Sequence, residues 1–235
     1  MQPIRKIPIQ SRSVAGKIFS YKNNRLISYE SQLELAFIYH LEFTPEVQFY
    51  TEQPLKVYYD TGKIKTYYIP DFIVYYKNFN QKPLLAEIKY SKELEERKEY
   101  IKRKISALRH YAEENNLEFR LITEKEILNN RLENYKFLYR YIPKPEHIIS
   151  YPEYVEKTIE FLNAKQITTP QKIIDNLGNS LYEKASFLTL TWHLVANNIL
   201  KTDLEKPLTN NSILSLNTSI HNDIKTIFFV FTNNE

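Results

Sequence analysis

The chain has 235 residues with a formal net charge of +4, and it contains no cysteine and only three glycines. Its balance of hydrophobic and charged residues is that of a folded soluble protein, and its length allows one large domain or two ordinary ones. The lack of cysteine excludes disulfides and thiolate metal sites, and the scarcity of glycine argues against a glycine-rich phosphate loop. No apolar run approaches the ~20 residues of a membrane helix. We therefore expect a cytoplasmic protein without a membrane segment.

Charge is distributed unevenly along the chain. Residues 1–145 carry 25 Lys and Arg against 18 Asp and Glu, whereas residues 146–235 carry 7 against 10. The first 29 residues hold six basic side chains and no acidic one. This distribution favours contact of the first part with a polyanion and contact of the second part with protein. Residues 1–27 show no periodicity and are predicted to form a basic N-terminal arm.

The first periodic element is a predicted helix from Ser28 to about Phe43. Leu33, Phe37 and Leu41 recur at four-residue steps, and Glu34 lies inside this apolar stripe. One explanation for Glu34 is a capping box with Ser31, which has the required spacing. The other is a carboxylate directed at the interior for a functional reason. Because the pattern already begins at Ser28, we favour the second explanation.

The next part of the chain alternates between β-rich runs and helical patterns. The predicted elements are strands at Val47–Tyr50, Glu52–Tyr59, Ile64–Tyr76 and Leu84–Tyr90, a helix from Lys92 to Asn115, a strand at Leu117–Thr123 and a helix capped by Thr123 and Glu126. This order predicts an α/β fold, with a mixed sheet flanked by helices, over residues 28–145.

Polar residues interrupt two of these β-rich runs. Asp71 lies in the first, and Glu87 and Lys89 lie in the second, with fifteen residues between Asp71 and Glu87. Side chains alternate along a strand, so Glu87 and Lys89 should project to the same side. Each residue taken alone is adequately explained as part of a solvated sheet face. Together, two carboxylates and an ammonium on consecutive strands favour a Mg²⁺ site beside an attacked phosphate.

Pro143 and Pro145 mark a change in composition and a predicted domain boundary. Beyond them, helical patterns cover Glu153–Asn163, Pro170–Leu177 and Tyr182–Leu200, followed by β-like pieces at Ser212–Leu216 and Lys225–Phe231. Three helices followed by a small hairpin are typical of a winged helix. We therefore predict a mainly α, winged-helix-like domain for partner binding over residues 146–235.

Several short motifs follow one another along the chain: Ser31-Gln32-Leu33-Glu34, Glu52-Gln53-Pro54, Tyr68-Ile69-Pro70-Asp71-Phe72, Ala86-Glu87-Ile88-Lys89, Phe119 to Glu124, Trp192-His193-Leu194, and Asp203 to Leu208. Their order and spacing resemble those of TnsA endonucleases, a family of the restriction-endonuclease-like superfamily. The chain resembles this family over nearly its whole length, most strongly over residues 28–125. It carries Glu87 where some family members have Gln.

The resemblance implies a Mg²⁺-dependent endonuclease subunit that hydrolyses phosphodiester bonds at the 5′ ends of a transposon during cut-and-paste transposition. Glu34, Asp71, Glu87 and Lys89 would then be catalytic. Glu34, Asp71, Glu87 and the carbonyl of Ile88 would be metal ligands for Mg²⁺ or Mn²⁺. Gln53 is a possible supporting residue, although a structural amide is the favoured interpretation. The implied partners are double-stranded DNA at transposon ends, an integrase-like transposase subunit and an ATPase regulator.

Two other functions fit the same residues. A restriction enzyme or junction resolvase of this fold would share the site and lack transposase partners. A non-catalytic DNA-binding assembly module would retain the fold without the catalytic activity. The complete set of Glu34, Asp71, Glu87 and Lys89 argues against the second of these.

Overall fold

The fold of this chain comes from a computed structural model that describes residues 14–60, 64–96, 98–143 and 152–218. Residue contacts divide the chain into two compact units, residues 1–132 and 133–235. The division falls inside the helix Asn130–Tyr139, whereas the predicted boundary lies near residue 145. The composition changes at the prolines, but the helix that precedes them already has contacts with the second unit's residues. Asn134, for example, binds the main chain at Leu204.

A four-stranded mixed sheet is the centre of the first unit. Its strands are β3 (Val47–Glu52), β6 (Phe72–Tyr76), β7 (Leu84–Ile88) and β8 (Glu118–Ile122), in that spatial order. The pairs β3–β6 and β6–β7 are antiparallel, and the pair β7–β8 is parallel. Parallel pairing requires a crossover. The helices α2 (Ser91–Glu96) and α3 (Lys98–Glu114) provide it, where one helix over 92–115 was predicted.

The two faces of β7 contact different helices, because its side chains alternate between them. Leu84, Ala86 and Ile88 pack with the buried side of helix α1 (Gln32–Phe43). Leu85 packs on the opposite face with Leu108 of α3. All five residues of β7 are buried, so Glu87, which has the same parity as Leu85, is a carboxylate within the layer between the sheet and α3. The predicted mixed sheet flanked by helices is confirmed.

The predicted strand Ile64–Tyr76 is in fact two strands. Lys65–Tyr68 (β5) pairs with Val57–Asp60 (β4) in a separate hairpin, and β6 begins only at Phe72. The interruption spans Ile69, Pro70 and Asp71, because proline cannot donate a hydrogen bond to a neighbouring strand. Asp71 therefore lies just before a strand and not at the centre of one.

Helix α1 starts at Gln32 and not at Ser28. Ser31 is its N-cap, and the Ser31 hydroxyl accepts a hydrogen bond from the Glu34 backbone N–H. The residues before it, Arg25–Tyr29, form strand β2 and pair with β1 (Gly16–Ser20). Local periodicity alone could not separate this strand from the helix that follows it.

The β1–β2 hairpin corrects the prediction that residues 1–27 form an aperiodic arm, as far as the described residues from 14 onward are concerned. A buried carboxylate on α1 anchors the hairpin turn. Glu42 accepts hydrogen bonds from the Ser20 hydroxyl at 2.6 Å, the Tyr21 N–H at 3.0 Å and the Tyr50 hydroxyl at 2.7 Å. These contacts join positions far apart in sequence, which explains why the segment has no local signature.

Two short helices, α4 (Glu124–Ile127) and α5 (Asn130–Tyr139), lead into the second unit. Its described residues after them form three helices and a small antiparallel sheet. The helices are α6 (Pro152–Lys165), α7 (Pro170–Leu177) and α8 (Leu181–Ala196). The sheet has the order Leu200–Lys201, Leu214–Leu216 and Ile167–Thr168. Thr169 caps α7 with Pro170 at its first position, as predicted. The predicted β-like piece Lys225–Phe231 lies outside the described residues.

The two motifs quoted from the second unit, Trp192-His193-Leu194 and Asp203 to Leu208, take part in packing and hydrogen bonding. Trp192, His193 and Leu194 are buried. The buried side chain of Asn134 donates hydrogen bonds to the carbonyls of Leu204 and Lys206.

Within the described part of the chain, no helix is long and apolar enough to cross a membrane.

Candidate active site

Three of the predicted site residues meet at one end of strands β6 and β7. The Lys89 ammonium lies 2.7 Å from Oε1 of Glu87 and 3.6 Å from Oδ2 of Asp71. Glu87 is on the α3 side of the sheet, Lys89 directly follows β7, and Asp71 directly precedes β6. Because β6 and β7 are antiparallel neighbours, the start of one strand lies beside the end of the other. The antiparallel pairing of β6 and β7 therefore brings Asp71 close to Glu87 and Lys89, although the two strands and their connecting turn separate them in sequence.

The two oxygens of the Glu87 carboxylate have different surroundings. Oε1 receives a hydrogen bond from the Tyr68 hydroxyl at 2.5 Å in addition to its contact with Lys89. Oε2 is buried and has no hydrogen-bond partner among the described residues. A buried carboxylate oxygen without a donor costs free energy, so this atom is suited to a cation or a polar ligand.

Asp71 is held by the main chain as well as by Lys89. Its Oδ2 accepts a hydrogen bond from the Ile88 N–H at 2.7 Å, and its carbonyl accepts one from the Gln53 N–H at 2.8 Å. The residue is 9% exposed. These bonds link Asp71 to the end of β7 on one side and to the segment after β3 on the other, and they fix its carboxylate beside Glu87.

Burial and mutual repulsion raise the pKa values of the carboxyl groups. Burial, together with the charge of Asp71, raises the pKa of Glu87 to about 8. The same two causes raise the pKa of Glu34 to about 7. Burial also raises the pKa of Asp71, although Lys89 opposes that shift. Because repulsion between these carboxyl groups contributes to the shifts, a divalent cation beside them would be electrostatically favourable.

A lysine that acts as a general base needs a lowered pKa, whereas the pKa of Lys89 is raised. Burial disfavours its ammonium, but the charges of Asp71 and Glu87 outweigh burial and raise the pKa above its ordinary value. Lys89 is consequently cationic at neutral pH in this arrangement. Its ammonium also donates a hydrogen bond to the Ile88 carbonyl at 3.0 Å, so the carbonyl proposed as a neutral metal ligand contacts Lys89.

Glu34 combines the two explanations considered for it. Its carboxylate accepts hydrogen bonds from the Glu30 N–H at 2.8 Å and the Ser31 hydroxyl at 3.0 Å, as in an N-terminal cap. The same carboxylate is close enough for Asp71 to raise its pKa and for Lys89 to oppose that rise. The capping role, which we did not favour, is therefore present, and it leaves Glu34 at the edge of the cluster.

Gln53 also borders the site. Its backbone has a φ of 43°, an uncommon left-handed conformation for a residue other than glycine. Its side-chain Oε1 is buried without a hydrogen-bond partner among the described residues. The main-chain N–H of Gln53 supports Asp71, and its side-chain amide presents a second buried oxygen without a donor among the described residues. The structural role favoured for that side-chain amide stays a prediction.

The donor set fits a hard divalent cation in its chemistry. Carboxylates and amide or peptide carbonyls are the oxygen ligands that Mg²⁺ prefers. The unpartnered buried oxygen of Glu87 supports this fit. However, no three His, Cys, Asp or Glu side chains in the described ranges are grouped closely enough to hold a metal ion. Lys89 contacts two of the expected ligands, Asp71 and Glu87, and the cap contacts engage Glu34.

Sequence reasoning missed three members of this cluster. Tyr68 contacts Glu87, Lys104 lies 4.4 Å above the Tyr68 ring, and the charge of Glu30 raises the pKa of Asp71. Tyr68 and Lys104, with Glu87, Lys89 and Glu93, line a cavity of about 150 Å³ against α3. The only signal for Tyr68 was its place in the quoted motif before Pro70, and Lys104 had no signal.

Comparison with protein families identifies both units. Residues 44–124 match the family described as TnsA-like endonuclease N terminal, and residues 126–204 match the family described as TnsA endonuclease C terminal. The first match includes Asp71, Glu87 and Lys89 and begins after Glu34. No curated protein matches the chain. Because the two matches follow one another and together span residues 44–204, the chain belongs to the TnsA endonuclease family.

Proposed function

We propose that this chain is the Mg²⁺-dependent endonuclease subunit that hydrolyses phosphodiester bonds at the 5′ ends of a transposon during cut-and-paste transposition. Membership of the TnsA endonuclease family implies a nuclease and a role in a multi-subunit transposase acting on DNA. The observation that carries the finer proposal is the contact of Lys89 with both Asp71 and Glu87 in a buried cluster.

Four groups are the proposed ligands of Mg²⁺, or of Mn²⁺ in its place. They are the carboxylates of Asp71, Glu87 and Glu34 and the carbonyl of Ile88. When bound, a divalent cation would neutralise charge that develops on the phosphoryl oxygens and favour ionisation of a water molecule. The raised pKa values of Glu34 and Glu87 support the proposal, since such shifts are typical of functional sites.

Lys89 is the proposed electrostatic partner of the scissile phosphate. Its raised pKa keeps the ammonium protonated at neutral pH, so it can donate to a phosphoryl oxygen and cannot serve as a general base. In the free protein the same ammonium balances Asp71 and Glu87. Lys89 would therefore exchange carboxylate contacts for phosphate contacts when the substrate and the cation are present.

Target selection is proposed to come from partners. Non-specific phosphate contacts give Kd values of only ~10⁻⁴–10⁻⁶ M at physiological salt, and we find no motif that reads bases. An integrase-like transposase subunit would bring double-stranded DNA at the transposon ends, and an ATPase regulator would license assembly. The second unit is the proposed docking part. Its three helices and three-stranded antiparallel sheet support a winged-helix interpretation.

A reconstituted cleavage reaction tests this function. The purified chain alone should cut linear duplex DNA weakly or not at all with Mg²⁺. Addition of the transposase subunit should produce cuts at the 5′ ends of the transposon. Sequence-specific cutting by the purified chain alone would contradict the proposal and favour a restriction-type enzyme.

A further inference from the structure

The Tyr68 hydroxyl is the one neutral donor from a side chain that contacts Glu87 within the described part of the chain. Its hydrogen bond to Oε1 measures 2.5 Å, and Lys89 contacts the same oxygen at 2.7 Å. A carboxylate has about four lone-pair sites. Two donors on Oε1 therefore fix the rotation of the carboxylate, while Oε2 remains buried without a partner.

The ring of Tyr68 is held independently of its hydroxyl. Tyr68 is opposite Val57 in the β4–β5 hairpin and packs on the Leu85 and Leu108 side of the sheet. The Lys104 ammonium lies 4.4 Å above the ring centroid. The hydroxyl is consequently aimed at Glu87 by packing, and loss of the hydrogen bond alone should leave the ring in place.

Tyr68 and Lys89 are not equivalent donors to Glu87. The Tyr68 hydroxyl is a neutral donor, and the packing of its ring holds it in place. Lys89 carries a full charge and is the group proposed to turn to the phosphate. If Lys89 leaves Glu87, the Tyr68 hydroxyl still holds Oε1.

We infer that Tyr68 is a positioning residue for the proposed divalent cation: its hydroxyl holds Oε1 of Glu87 and thereby presents Oε2 as the ligand atom. This inference rests on the proposed function. Its general basis is that partners hydrogen-bonded to a metal-ligating carboxylate orient the ligand, and their loss commonly lowers metal affinity.

The test is the Mg²⁺ affinity of Tyr68→Phe, measured by calorimetric titration of the full chain. The variant removes one hydroxyl and keeps the ring under Lys104. We expect the Kd to rise about 10- to 100-fold. Tyr67→Phe is the matched control, because Tyr67 is the preceding residue of β5 and its ring also lies beneath a lysine, Lys56, at 4.2 Å. The control should bind Mg²⁺ like the wild type.

A cleavage measurement separates positioning from a general loss of structure. In the reconstituted reaction, Tyr68→Phe should need more Mg²⁺ for half-maximal cleavage and should approach the wild-type rate when Mg²⁺ is saturating. A rate that stays low at saturating Mg²⁺, with unchanged Kd, would contradict a positioning role. If the wild type binds Mg²⁺ and Tyr68→Phe binds it with the same Kd, the inference about Tyr68 is wrong, and the proposed function is unaffected. A wild type that binds no Mg²⁺ would overturn the proposed function as well.

A second probe works even if Tyr68→Phe does not fold. Site-specific 3-fluorotyrosine at residue 68 or at residue 67 keeps both hydroxyls and reports on each environment by ¹⁹F NMR. Addition of Mg²⁺ should shift the resonance of residue 68, whose hydroxyl contacts Glu87, and leave that of residue 67 nearly unchanged. Identical responses at the two positions would contradict the inference.

Discussion

Lys89 and Glu87, two residues apart at the end of β7, form an ion pair of 2.7 Å in a site that is mostly shielded from water. Removing one partner of such a pair leaves a buried charge without compensation. In this chain the charge left behind would be shared with Asp71, whose Oδ2 is 3.6 Å from the same ammonium. The lysine is therefore the internal counter-ion of the two carboxylates that are the proposed metal ligands.

Replacement of Lys89 tests this dual role. Lys89→Ala should lose at least about 100-fold in cleavage rate, because a charge that stabilises the phosphate is removed. It should bind Mg²⁺ at least as tightly as the wild type, because the competing ammonium is gone. Lys92→Ala is the control, since the Lys92 side chain is 84% exposed. Wild-type cleavage by Lys89→Ala would show that Lys89 has no part in the reaction.

Metal-dependent stabilisation should depend on Asp71. Mg²⁺ at 100 times its Kd should stabilise the wild type by ~2.7 kcal/mol, measurable as a rise in Tm. Asp71→Asn should show almost no rise, while Asp60→Asn, at an exposed position of β4, should respond like the wild type. Without metal, Asp71→Asn should stay folded, because Asn retains an acceptor for the Ile88 N–H. Unfolding of Asp71→Asn without metal would assign Asp71 a structural role.

Stability without metal should fall between about pH 5 and pH 8 through Glu87. Its folded pKa of about 8 is above the ordinary value of 4.5, so the folded state holds a proton that the unfolded state has released. The free energy of unfolding, from urea titrations, should therefore decrease for the wild type relative to Glu87→Gln as the pH rises through this window. Subtracting the Glu87→Gln values removes the contribution of His40, whose lowered pKa acts in the opposite direction. A difference independent of pH would contradict the raised pKa.

The β1–β2 hairpin should depend on Glu42. Its carboxylate accepts hydrogen bonds from the hydroxyls of Ser20 and Tyr50, both buried. Glu42→Ala removes the acceptor of these two buried hydrogen bonds and should lower the free energy of unfolding by about 3 kcal/mol. Glu46→Ala, at an exposed position after the same helix, should change it little. Equal effects of the two substitutions would show that Glu42 does not anchor the hairpin.

Local patterns predicted the parts of this protein that depend on neighbouring residues. Asp71, Glu87 and Lys89 were recognisable because each is a polar residue in or beside a β-rich run, and the helix cap at Thr169 depends on adjacent residues. Tyr68 was not recognisable, since the chain has 19 tyrosines and only tertiary contacts distinguish this one.

Nonlocal contacts explain the remaining errors. The first hairpin depends on Glu42, about twenty residues away. The break between β5 and β6 could be inferred from Pro70, but the pairing of β5 with β4 in a separate hairpin could not. The start of α1 was predicted too early because Tyr29, at the end of β2, and Glu30, which follows it, extend the helical pattern of α1 toward the N-terminus.

The most direct test of the account is Mg²⁺-dependent cleavage in the complete reaction of chain, transposase subunit, ATPase regulator and DNA with transposon ends, with cut positions mapped on each strand. Wild type and Asp60→Asn should cut at the 5′ ends of the transposon. Asp71→Asn should leave those ends intact while the other strand is still processed by the transposase. Cutting of the 5′ ends by Asp71→Asn at the wild-type rate, or by the wild type with EDTA in place of Mg²⁺, would contradict the central claim that this cluster is a metal-dependent nuclease site.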